Sequence, residues 1–221
     1  MGYNIAIDGP AGAGKSTIAK KVAKELSFIY VDTGAMYRAM ALYLLEKGIS
    51  GDEKISEACH DADISIRYEN GEQQVILNGK NVTAFLRKEE VGNMASVSSA
   101  NPEVRAHLLK LQRNLAAENN VVMDGRDIGT QVLPDATVKI YLTASAKERA
   151  KRRYLELQEK GMPGELDQIE ADIIERDNRD MNREISPLRQ AEDAVLVDAS
   201  FMGIEEVTAA VIAEFEKKKQ A

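Results

Sequence analysis

The chain has 221 residues, 44% of them hydrophobic, and 29 basic residues against 36 acidic ones leave a net charge of −7. That length suits one α/β domain with a packed core, and the acidic balance excludes a general electrostatic hold on nucleic acid or an anionic membrane. Cys59 is the single cysteine, so an internal disulfide is excluded, and its surroundings suggest a buried, inert thiol rather than a metal ligand.

Tyr3 to Asp8 is short, contains Ile5 and Ile7 and runs into a glycine-rich turn, which predicts a first strand. Lys15 to Leu26 follows as a helix, with Ile18, Val22 and Leu26 on one face and Lys20, Lys21 and Lys24 around the rest. Apolar runs at Phe28 to Val31, Val121 to Met123, Val138 to Leu142 and Ala194 to Val197 alternate with helical stretches, the pattern of βα repeats and a parallel central sheet with helices on both faces. Met40 to Leu45 is apolar but far too short to cross a bilayer, and no signal-peptide pattern opens the chain, so a cytoplasmic protein without membrane contact is expected.

One stretch departs from the repeat. Ile64 to Glu69, Gln73 to Leu77 and Lys80 to Val82 are strand-like and separated by Asn70-Gly71 and Asn78-Gly79, the strongest short hairpin signal. Residues 51–98 are therefore expected to form an inserted, partly antiparallel subdomain. Asn101-Pro102 reads as an N-cap and first-turn proline of a helix whose face carries Val104, Leu108, Leu111 and Leu115, and Ser145 with Glu148 reads as a capping box.

Gly9-Pro10-Ala11-Gly12-Ala13-Gly14-Lys15-Ser16, followed by Thr17, matches the Walker A pattern and lies between a predicted strand and helix, as that pattern requires. The glycines let backbone N–H groups wrap a phosphate, the helix N-terminus adds partial positive charge, Lys15 offers a cation to β- and γ-oxygens, and Ser16 offers a hydroxyl to Mg²⁺. A P-loop alone leaves the reaction open. The chain holds no Asn-Lys-x-Asp to read guanine and no Leu-Ser-Gly-Gly-Gln transporter signature, and its arginines point to a kinase.

Three further segments bear on an acceptor. Asp32 to Arg38 and Asp124 to Gly129 both follow strand ends, where ligands bind in open parallel sheets, so they are expected to face the P-loop across one cleft. Arg176, Arg179 and Arg183 fall on one face of a predicted helix, where either an anionic ligand or Asp177 and Asp180 would relieve their repulsion. Arg149, Arg152 and Arg153 form a similar group, equally readable as an exposed charged helix, and Arg105 on its own reads as a surface residue. His60 and His107 read as structural.

In this order, the loop Gly9 to Thr17, Asp32 to Arg38, Asp124 to Gly129 and Glu175 to Arg183 resemble bacterial cytidylate kinases over essentially the whole chain, with Thr33 where serine is common. The resemblance implies a P-loop NTPase-type three-layer fold with an NMP-binding subdomain at residues 51–98, a lid at 145–165, and transfer of the ATP γ-phosphoryl group to CMP and dCMP in pyrimidine nucleotide metabolism. It assigns the whole P-loop with Arg149 and Arg153 to ATP, and Mg²⁺, carried as ATP·Mg, to Ser16. Asp127, Arg105 and Ser96 fall to cytosine, Tyr37, Arg176 and Asp180 to the sugar, and Arg38, Arg126 and Arg183 to the acceptor phosphate, with Thr33 also at CMP. Lys15, Arg126 and Arg183 would stabilise the transferring group, with small-molecule substrates the only partners and a monomer expected. Asp124 either reaches Mg²⁺ through water or orients Arg126. A kinase for UMP, AMP or another small acceptor, and a nucleotide-dependent switch, stay as alternatives on the residues alone.

Overall fold

The structure is a computed structural model, described here for residues 2–162 and 164–220. The chain forms two compact units. One runs over Ile29–Val121; the other joins Tyr3–Phe28 to the chain from Val122 onward.

The second unit contains a parallel sheet. Strand β1 (Asn4–Asp8) buries Ile5, Ala6 and Ile7 completely, as a strand covered on both faces must, and β6 (Val121–Gly125) is buried along its whole length. With β7 (Val138–Thr143) and β8 (Val195–Asp198) the order across the sheet is β6-β1-β7-β8. β1 pairs in parallel with β7, Ile5 opposite Val138 and Asp8 opposite Tyr141, and β7 pairs in parallel with β8. Helix α1 (Lys15–Leu26) has the predicted bounds; Ile18, Ala19, Val22 and Ala23 are buried, and Ser27 ends it in the left-handed region with its N–H turned back to Ala23 and Lys24 carbonyls. Tyr3 and Phe28 meet Phe215 edge-on at 5.5 and 5.4 Å, fastening α8 (Ile204–Lys219) to the start of the unit. The remaining long helices are α6 (Ala146–Glu159), whose N-cap Ser145 accepts from the Glu148 N–H, and α7 (Leu166–Asn182). Pro163, within the expected lid, lies outside the described residues.

The first unit opens with β2 (Ile29–Asp32) and runs straight into α2 (Thr33–Glu46), Asp32 capping the helix by accepting from the Ala35 N–H at 2.9 Å. After α3 (Asp52–Ala58), strands β3 (Ile64–Glu69), β4 (Glu72–Leu77) and β5 (Lys80–Asn81) form a three-stranded antiparallel sheet. Asn70-Gly71 and Asn78-Gly79 all have positive φ, 53°, 79°, 48° and 78° in order, as two-residue type I′ turns demand. The hairpin is tied to β2: the Gln73 side chain accepts from the Asp32 N–H and donates to the Asp32 carbonyl, and the Tyr68 hydroxyl donates to the Tyr30 carbonyl. Helices α4 (Glu89–Ser98) and α5 (Pro102–Glu118) complete the unit. The Asn101 carboxamide oxygen accepts from Glu103 and Val104 N–H, while its amide donates to Asp52 and Ser56, joining the start of α5 to α3. The expected insertion, 51–98, thus falls inside a larger unit that begins at Ile29. Cys59 is buried and unpaired by any disulfide.

Candidate active site

In the second unit, β1 and α1 are joined by the glycine-rich loop. Gly9, Gly12 and Gly14 have φ of 148°, 75° and 92°. At Gly9 no other residue fits, because a Cβ there would overlap the Leu142 carbonyl oxygen of neighbouring β7. The loop thereby delivers the N-terminus of α1, with its outward N–H groups and positive dipole end, beside the sheet.

Lys15, the first residue of α1, is 6% exposed and donates through Nζ to the Pro10 carbonyl at 2.7 Å. Burial, and then the Arg126 guanidinium, lower its pKa to about 7, against the opposing pull of Asp124, Asp8 and Asp180. The Ser16 hydroxyl donates to the buried Asp124 carboxylate at the end of β6, 2.9 Å away. Arg126 donates through Nε to Asp180 at 2.8 Å and through Nη1 to the Gly125 carbonyl at 3.3 Å. Burial drives Asp180 up, yet Arg126, Arg176 and Arg183 together outweigh it and hold the carboxyl below its ordinary value. Asp127 is buried, with Arg183 Nη2 at 3.8 Å from its Oδ1. Five predicted residues of one unit, Lys15, Arg126, Arg176, Asp180 and Arg183, thus interact electrostatically around one point, with the Ser16–Asp124 pair beside Lys15.

The arginine pattern needs correction in one respect. α7 ends at Asn182, and Arg183 is already extended, φ −65° and ψ 142°, so it does not share a helix face with Arg176 and Arg179. Its Nε donates to the Ser186 carbonyl at 2.6 Å, while Arg179 pairs on the exposed side with Glu175. Of the second arginine group, Arg149 is not on an exposed charged surface: it is 5% exposed and donates to the Ala144 carbonyl (2.8 Å), the Ala11 carbonyl of the P-loop (2.8 Å) and Asp177 (2.6 Å). Arg152 bonds the Ala199 carbonyl, and Arg153 is half exposed beside Glu156.

The first unit holds the other predicted residues. Thr33 is buried in the first turn of α2, and Tyr37 and Arg38 follow on the same helix. Arg38 Nη1 and Asp32 Oδ1 crowd Gly34 so closely that a Cβ would lie 3.3 and 3.2 Å from them. Arg105 is 9% exposed rather than on the surface: its guanidinium lies 5.5 Å from the Tyr37 ring centre and Nη1 donates to the Ser99 carbonyl at 3.0 Å. Ser96 is half-buried on α4, and His107 is held at the Ala62 carbonyl.

Sequence reasoning passed over the buried carboxylate of Asp8 and took that of Asp177 only as a partner for Arg176, Arg179 and Arg183. Asp8 accepts from the Ile128 and Gly129 N–H groups, and Asp177 receives Arg149. A signal existed for the first, since a charged residue closing an otherwise apolar buried strand is uncommon without partners.

The cytidylate kinase family model matches residues 5–217. A cytidylate kinase of Caldicellulosiruptor saccharolyticus is 52% identical over 216 residues, which cover 97% of this chain and 96% of the relative. One of Caldicellulosiruptor bescii is 51% identical over the same length and shares. Among solved structures, a gluconokinase from Sinorhizobium meliloti 1021 superposes with a TM-score of 0.52 at 13% identity, covering 97% of this chain and 92% of that one, a likeness of fold.

Proposed function

The chain belongs to the cytidylate kinase family, and from that premise we propose how its residues carry a phosphoryl group from ATP to CMP. It is a nucleoside monophosphate kinase acting on CMP, an ATP-dependent phosphotransferase. The observation that carries the residue-level reading is the group of buried Lys15 with half-buried Arg126, Arg176 and Arg183, cations packed against carboxylates in a way that an arriving polyphosphate completes.

Lys15 and the backbone of Gly9 to Thr17 bind the ATP phosphates. The CMP phosphate oxygen, already nucleophilic, attacks the γ-phosphorus in line, so no general base is needed and catalysis consists of positioning and charge stabilisation by Lys15, Arg126 and Arg183. Asp127 accepts from the cytosine amino group, Arg105 donates to N3 and O2 with Ser96 beside it, and Thr33, Tyr37, Arg38, Arg176 and Asp180 hold the sugar and phosphate. Deoxycytidylate is accepted as well. Residues 51–98 serve as the acceptor-binding subdomain and 145–165 as a lid that excludes water, with Arg149 and Arg153 toward ATP.

Oxygen donors suit a hard cation that keeps substrate phosphates among its ligands, and the Ser16 hydroxyl with the Asp124 carboxylate is such a pair. These two residues would hold Mg²⁺, which when bound neutralises phosphate charge. Their bond favours the metal role for Asp124 over orienting Arg126, whose Nε is taken by Asp180. No helix among the described residues is long and apolar enough to cross a membrane, and the enzyme is proposed to work in the cytoplasm as a monomer on small molecules alone.

The test is ADP production from ATP and Mg²⁺ with CMP, dCMP, UMP and AMP offered separately against a control without acceptor. Turnover that depends on the cytidine nucleotides is expected; equal ATP turnover without any acceptor overturns the reading.

A further inference from the structure

Asp8 has no place in the chemistry above, yet it is among the most completely committed side chains of the second unit. It closes β1 one residue before the P-loop and is 5% exposed. Its Oδ1 accepts from the Ile128 N–H at 2.8 Å and its Oδ2 from the Gly129 N–H at 2.7 Å. Burial pushes its pKa up to about 6 in spite of those two bonds, so the fold keeps an acid where a neutral group would cost less to bury.

Both bonds reach the backbone immediately after Asp127. From Ile128 to Val132 the chain makes a π-helical turn in which the Asp127 carbonyl accepts from Gln131 at 2.8 Å and Val132 at 3.3 Å. The carbonyl of Asp127 is thus held by the turn that follows it and the N–H of the same peptide by Asp8, so the peptide plane leaving the Asp127 Cα is held at both edges. In this clasp each of the two neighbouring N–H donors meets its own oxygen of one planar group, which a carboxylate offers and a carboxamide does not. The approach is close: a Cβ on Gly129 would lie 3.1 and 3.2 Å from Lys139 side-chain carbons and 3.4 Å from Asp8 Oδ2.

We infer that Asp8 is a positioning residue for acceptor recognition, clasping the peptide after Asp127 and so fixing the angle at which that carboxylate meets the base. The inference rests on the reading of Asp127 as the cytosine contact. It predicts that base selectivity, the ratio of kcat/KM for CMP to kcat/KM for UMP, depends on Asp8 although both of its carboxylate oxygens are engaged by backbone N–H groups. That ratio does not depend on the fraction of enzyme folded, so a merely structural role leaves it unmoved.

Three variants decide it. Asp8→Asn places an amide opposite one of the two N–H donors; Gly129→Ala wedges a methyl against the Lys139 side chain at van der Waals distance from Asp8 Oδ2, pressing on the clasped backbone while leaving every charge around Lys15 in place; Asp127→Ala removes the proposed base contact itself. Asp8→Asn and Gly129→Ala are each expected to lower the CMP-to-UMP ratio by about tenfold, as misplacement of a recognition group does, with KM for CMP rising more than KM for ATP. If Asp127→Ala collapses the ratio while the other two keep the wild-type value, the clasp has no positioning role and the inference fails alone. If Asp127→Ala also keeps the ratio, the cytosine assignment on which the inference stands is wrong and both fall. Should Asp8→Asn yield too little folded enzyme to assay, the ratio measured for Gly129→Ala decides between these outcomes.

Discussion

The two units hold their arginines by different means. In the unit built on the parallel sheet, guanidinium groups, buried at Arg149 and half-buried at Arg126 and Arg183, face buried carboxylates: Arg126 with Asp180, Arg149 with Asp177, Arg183 near Asp127. In the unit over Ile29–Val121, Arg105 is seated on an aromatic face and a backbone carbonyl, and the helix carrying Tyr37 and Arg38 starts from a cap fixed by Gln73. The first arrangement is an electrostatic network, in which Arg126, Arg176 and Arg183 together hold the Asp180 carboxyl below its ordinary value; the second is a matter of packing and capping. Damage should therefore spread in one unit and stay local in the other.

The largest effect is expected from Asp180→Ala. Removing that carboxylate leaves Arg126, Arg176 and Arg183 to repel one another and frees the Arg126 side chain, so kcat/KM for CMP should fall by about a hundredfold, with kcat and KM both affected. Steady-state kinetics check this, and a loss below about threefold would mean that the network is not coupled. Arg105→Ala sharpens the contrast from the other side. Its loss should raise KM for CMP about tenfold, the cost of one charge-assisted contact, while kcat and KM for ATP hold. A parallel fall in kcat would show that the packed unit is coupled to the chemistry after all.

The smallest effect is a proton. With its pKa lowered to about 7 from 10.5, Lys15 in the free enzyme is largely neutral near pH 8, and the phosphates of a bound nucleotide favour its charged form. ATP binding should therefore take up a fraction of a proton, up to about one, near pH 8, and almost none near pH 6, where the lysine is charged already. The sign follows from which state holds more protons: the bound state does, so affinity weakens as pH rises above about 7. Calorimetry in buffers of different ionisation enthalpy reads the uptake, and Lys15→Met should abolish it.

Much of this was legible in the chain itself. The Walker pattern between a strand and a helix, both Asn-Gly turns and the Asn101 cap are local signals, written in residues that need particular dihedrals or supply particular acceptors, and each appears where the pattern puts it. What was not legible depends on partners far along the chain. Helical spacing put Arg183 on a face with Arg176, but the chain leaves the helix after Asn182 and Arg183 turns toward Asp127 and Ser186. Arg105 and Arg149 looked like solvated charges because nothing near them in sequence announces the Tyr37 ring, the Ala11 carbonyl or Asp177. The role of Asp8 needs Ile128 and Gly129, 120 and 121 positions away.

The three bonds of Arg149 also have a mechanical consequence. One buried guanidinium bolts the first turn of α6 to the end of β7, to the P-loop at Ala11 and to α7 at Asp177, whereas Arg153, one turn further along the same helix, stands half exposed. Arg152 adds a bond to the Ala199 carbonyl close by, so the anchors of α6 gather in its N-terminal half. A swing of the far end of α6 would therefore turn about this pinned end, and part of its torque would pass through Arg149 to the Ala11 carbonyl of the phosphate loop.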